Sequence, residues 1–234
     1  MRIGVYGGTF NPIHVGHLRA AEEVAEALDL ARVLFVPSAL PPHKPDDLVA
    51  PAAQRLAWVR LAVAGNPLFA ADPIEVERGG PSYLVDTLRA LRAREGGELV
   101  FLVGCDAFAE MGAWRDPREL FRLASYAVTT RPPLRAGRLD DWLPDAVKGD
   151  VEIAADGRSG SHRDAGTWLR LVEIRGLDVS ASDVRRRLRE GRSVRYLLPE
   201  PVRRSVEASA VYGDAPAAPS ANPRSANGGA QSSG

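Results

Sequence analysis

The chain has 234 residues, long enough for one sizeable α/β domain and requiring no second. Its 30 basic and 30 acidic residues cancel, which leaves no global field to attract nucleic acid. The single cysteine, Cys105, makes neither an internal disulfide nor a metal set, and no apolar run nears the roughly 18 to 20 residues of a membrane helix. A soluble protein of the reducing cytoplasm is expected, without a leader, because a strand begins at the N-terminus itself.

Ile3, Val5 and Tyr6 read as a short buried strand, and the backbone is expected to turn sharply at Gly7-Gly8. Asn11-Pro12 marks a second bend, since a residue before proline is pushed out of the α region. Helical spacing follows at once, with Leu18, Ala21, Val24, Ala25 and Leu28 on one face. Strand, glycine turn and helix start offer main-chain N–H groups and a positive dipole end to an anion. His14 and His17 stand three apart at that helix start and share a face if the stretch is helical. Gly16 between them keeps a Cβ away from whatever both rings approach. A helix cap beside a surface histidine is one alternative. A zinc pair is another, but no third ligand stands at a characteristic spacing. The anion site is the preferred reading.

Val33 to Val36 form an apolar run stopped by Pro37, as in a buried parallel strand. The proline-rich stretch 37–45 then leaves the carboxyl end of a central strand, where open α/β sheets bind ligands, and it carries Lys44. A solvated surface lysine is the plain alternative. A helix is expected over 51–64, strand pieces over 68–71 and 74–77, and a helix over 83–94 with Ser82 as its N-cap. Residues 99–103 are the clearest buried strand, ended by Gly104. Asp106 beyond it either meets ribose hydroxyls or caps a helix over 107–111. A short helix over 119–124 and a strand over 126–130 follow, with Arg131 leaving the strand's end. Residues 134–166 read as a variable insertion with weak structure and one helix near 140–147. A strand over 168–174 precedes Ser180 and Asp183, which match a capping box with Arg185 one turn in. Capping alone accounts for that pair; the functional reading adds a second anion cradle. One doubly wound, Rossmann-like α/β domain with a mostly parallel central sheet is expected over 1–213. The small and polar residues 214–234 are expected to be disordered.

The run from Gly7 to His17 resembles the signature of the nucleotidyltransferase superfamily that shares a His-x-Gly-His motif. It is most similar to the bacterial nicotinate-nucleotide adenylyltransferase branch. Pro41-Pro42-His43-Lys44 resembles a further element of that branch, as do Gly104-Cys105-Asp106 and Ser180-Ala181-Ser182 with Arg185. Two positions depart from the pattern: Asn11 stands where many members have Asp, and Leu84 where a threonine is usual. The resemblance covers the chain to about residue 213, apart from the insertion.

The resemblance implies transfer of the adenylyl group of ATP to nicotinate mononucleotide, giving nicotinate adenine dinucleotide and pyrophosphate in NAD biosynthesis. It implies His14 and His17 on the ATP phosphates, with Lys44 and Arg185 on the developing charge and leaving pyrophosphate. Gly7, Gly8, Thr9, Phe10, Gly104, Asp106, Arg131, Ser180 and Ser182 would complete the ATP site. Ser82, Tyr83, Leu84 and Trp114 would hold the nicotinate nucleotide, although Trp114 is read equally well as a core residue. Mg²⁺ would arrive on phosphates and water, with no protein metal site. Neither nucleic acid nor membrane is an expected partner, and a homo-oligomer is compatible with the sequence. A phosphopantetheine adenylyltransferase and a non-catalytic nucleotide sensor are the alternatives. The Pro-Pro-His-Lys and Ser-x-Ser-x-x-Arg elements speak against the first, and retention of both histidines, Lys44 and Arg185 speaks against the second.

Overall fold

Strands that are apolar at every position need cover on both faces, and such strands form the centre of the sheet. In the computed structural model, which describes residues 1–41, 49–130 and 137–213, β1 (Arg2–Gly8) lies between β2 (Arg32–Pro37) and β4 (Glu98–Gly104). β3 (Phe69–Ala71) flanks β2, while β5 (Ser125–Thr130) and β8 (Trp168–Glu173) extend the other side, all parallel. β7 (Ser159–His162) and β6 (Val151–Ile153) finish that edge antiparallel, for the order β3-β2-β1-β4-β5-β8-β7-β6.

Alternate residues of each central strand serve opposite cores. Val33, Phe35, Val100 and Leu102 pack beneath α1 (Val15–Leu28), α2 (Ala52–Val63), α8 (Ala181–Arg189) and α9 (Glu200–Ser209). Leu34, Val36, Leu99, Phe101 and Val103 pack on the opposite side. There they meet α4 (Leu84–Glu95), α5 (Cys105–Glu110), α6 (Pro117–Leu123) and α7 (Leu139–Trp142). This is the expected doubly wound domain. After β3 the chain returns to the far side of β1, so the carboxyl ends of β1 and β4 flank the switch point where such sheets bind ligands. Among the described residues, no helix is long and apolar enough to cross a membrane.

Two expectations need correction. Ile74-Glu75-Val76-Glu77 alternates like a strand but forms α3 (Ile74–Arg78). Asp72 starts it by accepting the Ile74 N–H at 3.0 Å, and the carboxylate of buried Glu75 takes the Thr87 hydroxyl at 2.6 Å. The described part of 134–166 is also not weakly structured. It supplies α7, a 3-10 turn at Asp145–Val147, and both antiparallel strands. Leu139, Leu143, Val147 and Val151 are buried in the second core, each contributing about 1.5–3 kcal/mol of transfer free energy. The four recur at every fourth residue, a spacing that suggests one helix, but Pro144 divides the stretch into α7 and the 3-10 turn. The tail 214–234 lies outside the described residues.

Candidate active site

Gly7 and Gly8 remain in β1, paired with Val36 and Pro37, so the sharp turn expected at them comes later. It falls at Phe10, which takes φ 46°. Glycine is needed before it for close approach: a Cβ on Gly8 would lie 3.2 Å from the Phe10 ring, and one on Gly7 3.3 Å from Phe101. The Phe10 side chain itself is buried, edge-on to Tyr6 and to His17, whose ring centroid is 5.2 Å away. Only its main chain is left to meet a ligand.

His14 is the N-cap of α1, and its main-chain N–H donates to Nδ1 of His17 at 3.2 Å. The two rings stack with centroids 3.7 Å apart. An imidazole that accepts at Nδ1 carries its proton at Nε2 when neutral, so His17 presents Nε2 as a donor. Gly16 is closely packed beside this pair. A Cβ there would sit 3.0 Å from Nδ1 of His14 and 3.4 Å from the Val179 carbonyl, so the glycine makes room for the histidine ring and the approach to α8.

The second motif docks against the first. Ser180 caps α8 by accepting the Asp183 N–H at 3.1 Å, while the Asp183 carboxylate turns to Arg186 and Arg187 instead of completing a box. Arg185 donates through Nη1 to the Asn11 carbonyl at 2.8 Å and through Nη2 to Ser182 Oγ at 3.2 Å. Asn11 Oδ1 accepts from the Ala50 N–H at 3.0 Å and from the Tyr212 hydroxyl. Burial raises the Tyr212 pKa, which keeps it a donor. At this buried position an amide supplies the acceptor without a buried charge, which accounts for Asn in place of Asp.

A cavity of about 560 Å³ opens on the other side of the turn. It gathers Gly7, Gly8 and Thr9 with Ser82, Tyr83, Leu84 and Trp114, and so unites two groups that the sequence reading kept apart. Trp114 is part-buried in its wall. Ser82 does not cap α4: Tyr83 holds the N-cap position, and Ser82 Oγ instead accepts the Ala39 N–H at 2.8 Å. Asp106 is likewise no cap, because α5 begins at Cys105 after Gly104. Its exposed carboxylate lies in the first turn beyond β4. Burial and the adjacent Asp106 charge raise the Cys105 thiol pKa. Lys44 and Arg131 lie outside the described residues.

The sequence reading missed Ser38, Glu75 and Arg115, all of which line the cavity. The Arg115 guanidinium lies 4.8 Å over the Tyr83 ring and 3.5 Å from the Asp86 carboxylate. Its place directly after Trp114 was the available signal. Among the described residues, no group of three or more His, Cys, Asp or Glu could hold a metal ion.

The chain belongs to the cytidylyltransferase-like family, whose model matches residues 5–187, from within β1 to within α8. It is 45% identical to a protein of Halorhodospira halophila over 214 residues, 90% of this chain and 95% of the other. It is 42% identical to one of Geotalea uraniireducens over 218 residues, 92% and 100% of the two chains. Both are named probable nicotinate-nucleotide adenylyltransferase, and within the family this chain falls in their branch. The solved Plasmodium falciparum nicotinic acid mononucleotide adenylyltransferase, complexed with NaAD, matches with a TM-score of 0.66 at 13% identity. The match covers 90% of this chain and 97% of that one, a likeness of fold.

Proposed function

We infer that this protein transfers the adenylyl group of ATP to nicotinate mononucleotide, giving nicotinate adenine dinucleotide and pyrophosphate in NAD biosynthesis. The observation that carries the reading is a stacked histidine pair just beyond the turn that lines an aromatic-walled cavity at the sheet's switch point. The relatives' names agree with it. A phosphate oxygen of the mononucleotide attacks the α-phosphorus of ATP in line, and pyrophosphate leaves. Such a transfer needs positioned charge and donors more than a protein nucleophile.

In this reading His17 Nε2 and His14 meet the ATP phosphates, and Arg185 and Lys44 stabilise the charge that develops toward pyrophosphate. Gly7, Gly8, Thr9 and the main chain of Phe10 bed the nucleotide. Gly104 and Asp106 face its ribose, with Ser180, Ser182 and Arg131 about its periphery. Trp114 covers the pyridine ring. The start of α4 at Ser82, Tyr83 and Leu84, together with Arg115, answers the nicotinate carboxylate. The cation would enter as substrate, as Mg²⁺ on the ATP phosphates. A buried free Cys105 suits a reducing cytoplasm.

Pyrophosphate release from ATP and Mg²⁺, measured with each mononucleotide in turn, tests the reading. Nicotinate mononucleotide should be used at least about tenfold more efficiently than nicotinamide mononucleotide, a gap of roughly 1.4 kcal/mol. No release with either would overturn the function, and equal kcat/KM values would overturn the assigned preference.

A further inference from the structure

Arg55 is a charged side chain for which the mechanism above has no use. It lies in α2 among Leu56, Trp58, Val59 and Val63, and only 1% of it is exposed. Arginine is rarely buried so completely without a carboxylate partner. Among the described residues Arg55 forms no ion pair, and desolvation lowers its pKa, opposed in part by the nearby Glu75 charge. Its three donor nitrogens instead go to three main-chain carbonyls. Nε donates to Ala50 at 2.8 Å, Nη1 to Thr9 at 2.7 Å and Nη2 to Ala39 at 2.9 Å.

Those carbonyls belong to separate pieces of the site. Thr9 lies in the turn that lines the cavity, and Ala39 sits between the lining residues Ser38 and Pro41. Ala50 is held on its N–H side by Asn11, the residue that Arg185 grips. A carbonyl drawn back to Arg55 is not presented to an anion. In a trans peptide the following N–H points the opposite way, so the bonds to Thr9 and Ala39 turn the N–H groups of Phe10 and Leu40 away from Arg55. A planar fork with donors at fixed angles can set three peptides at once, which a lysine cannot.

We propose that Arg55 is a positioning residue for adenylyl transfer, fixing from behind the peptide orientations of the turn and of both ends of the 39–50 connection. The proposal rests on the reaction inferred above. Its test is therefore a ratio to the wild type on whichever mononucleotide the wild type turns over, so a failed reaction and a failed role for Arg55 give different results.

The experiment compares R55K, R55Q and R55G, assayed in the cold, with folding verified by circular dichroism. R55K keeps the charge and loses the fork, so its kcat should fall about 100-fold, as for a misplacement near 1 Å. Its KM for the mononucleotide should stay within about threefold of wild type. Added ethylguanidinium should restore turnover of R55G at least about tenfold, and ethylammonium should not. A folded R55K with kcat within about threefold of wild type would overturn the proposal, as would equal rescue by ethylammonium. Loss of folding in all three would also overturn it, because Arg55 would then determine the fold instead of the site.

Discussion

On the histidine side of the site each polar group is held by another. His17 takes the His14 N–H, Arg185 grips Asn11 and Ser182, and Asn11 in turn receives Ala50 and Tyr212. On the cavity side, Tyr83 and Trp114 are only part-buried, and Arg115 is exposed, with a ring and a surface carboxylate for partners. Chemistry that depends on where charge develops needs preorganised donors, whereas recognition of a flat ring tolerates slack. Mutations on the first side should therefore cost turnover, and those on the second should shift choice between substrates.

The largest expected effect follows removal of the donor itself. His17→Ala should lower kcat by roughly 10² to 10³, or about 2.7–4 kcal/mol, with the fold retained and stability reduced by about 0.5–2 kcal/mol for the lost acceptor at the α1 start. A near-normal kcat would remove the histidine from the reaction and erase the contrast between the two sides.

Next comes a probe of packing. In Gly16→Ala the new Cβ meets the His14 ring at 3.0 Å, with the Val179 carbonyl 3.4 Å away. Overpacking of this kind costs about 1–3 kcal/mol of stability, and displacing the His14 ring should lower kcat roughly tenfold. Thermal melting and steady-state kinetics measure both. If kcat is unchanged, the stacked pair tolerates movement and its packing is not what makes it function.

The smallest effect belongs to the open side. An exposed charge pair is worth about 0.2–1 kcal/mol, so Arg115→Gln should reduce the preference for nicotinate over nicotinamide mononucleotide by at most about fivefold. The ratio of kcat/KM values reads this directly, and kcat with nicotinate mononucleotide should hardly move. A collapse of kcat would mean that the cavity wall is as tightly coupled to the chemistry as the histidine wall.

Much of this was legible in the sequence because it was local. The apolar strands β1, β2 and β4, the His-x-Gly-His spacing and the start of α8 all lie in short stretches whose pattern carries the physics. What escaped depends on contacts between distant stretches. Arg55 is one polar residue in a helix until Thr9, Ala39 and Ala50 are folded around it. Glu75 looks like the outward residue of a strand until Thr87 reaches it. Leu139, Leu143, Val147 and Val151 recur at every fourth residue, so the pattern suggests one helix and hides the turn and the strand in which the last two stand. Gly7 and Gly8 stand in the strand and not in the turn expected of them, since the Phe101 and Phe10 rings packed against them could not be seen.

The bond from Arg185 to the Asn11 carbonyl spans 174 positions, and that from Tyr212 to the Asn11 side chain spans 201. Synthesis runs from the N- to the C-terminal side, so the turn at Asn11 is made well before the two residues that finish it. All six parallel strands are present in a nascent chain that ends after β8, yet neither Arg185 nor Tyr212 has been added. The strands of the parallel sheet are thus all made before the histidine turn can receive either of its late anchors.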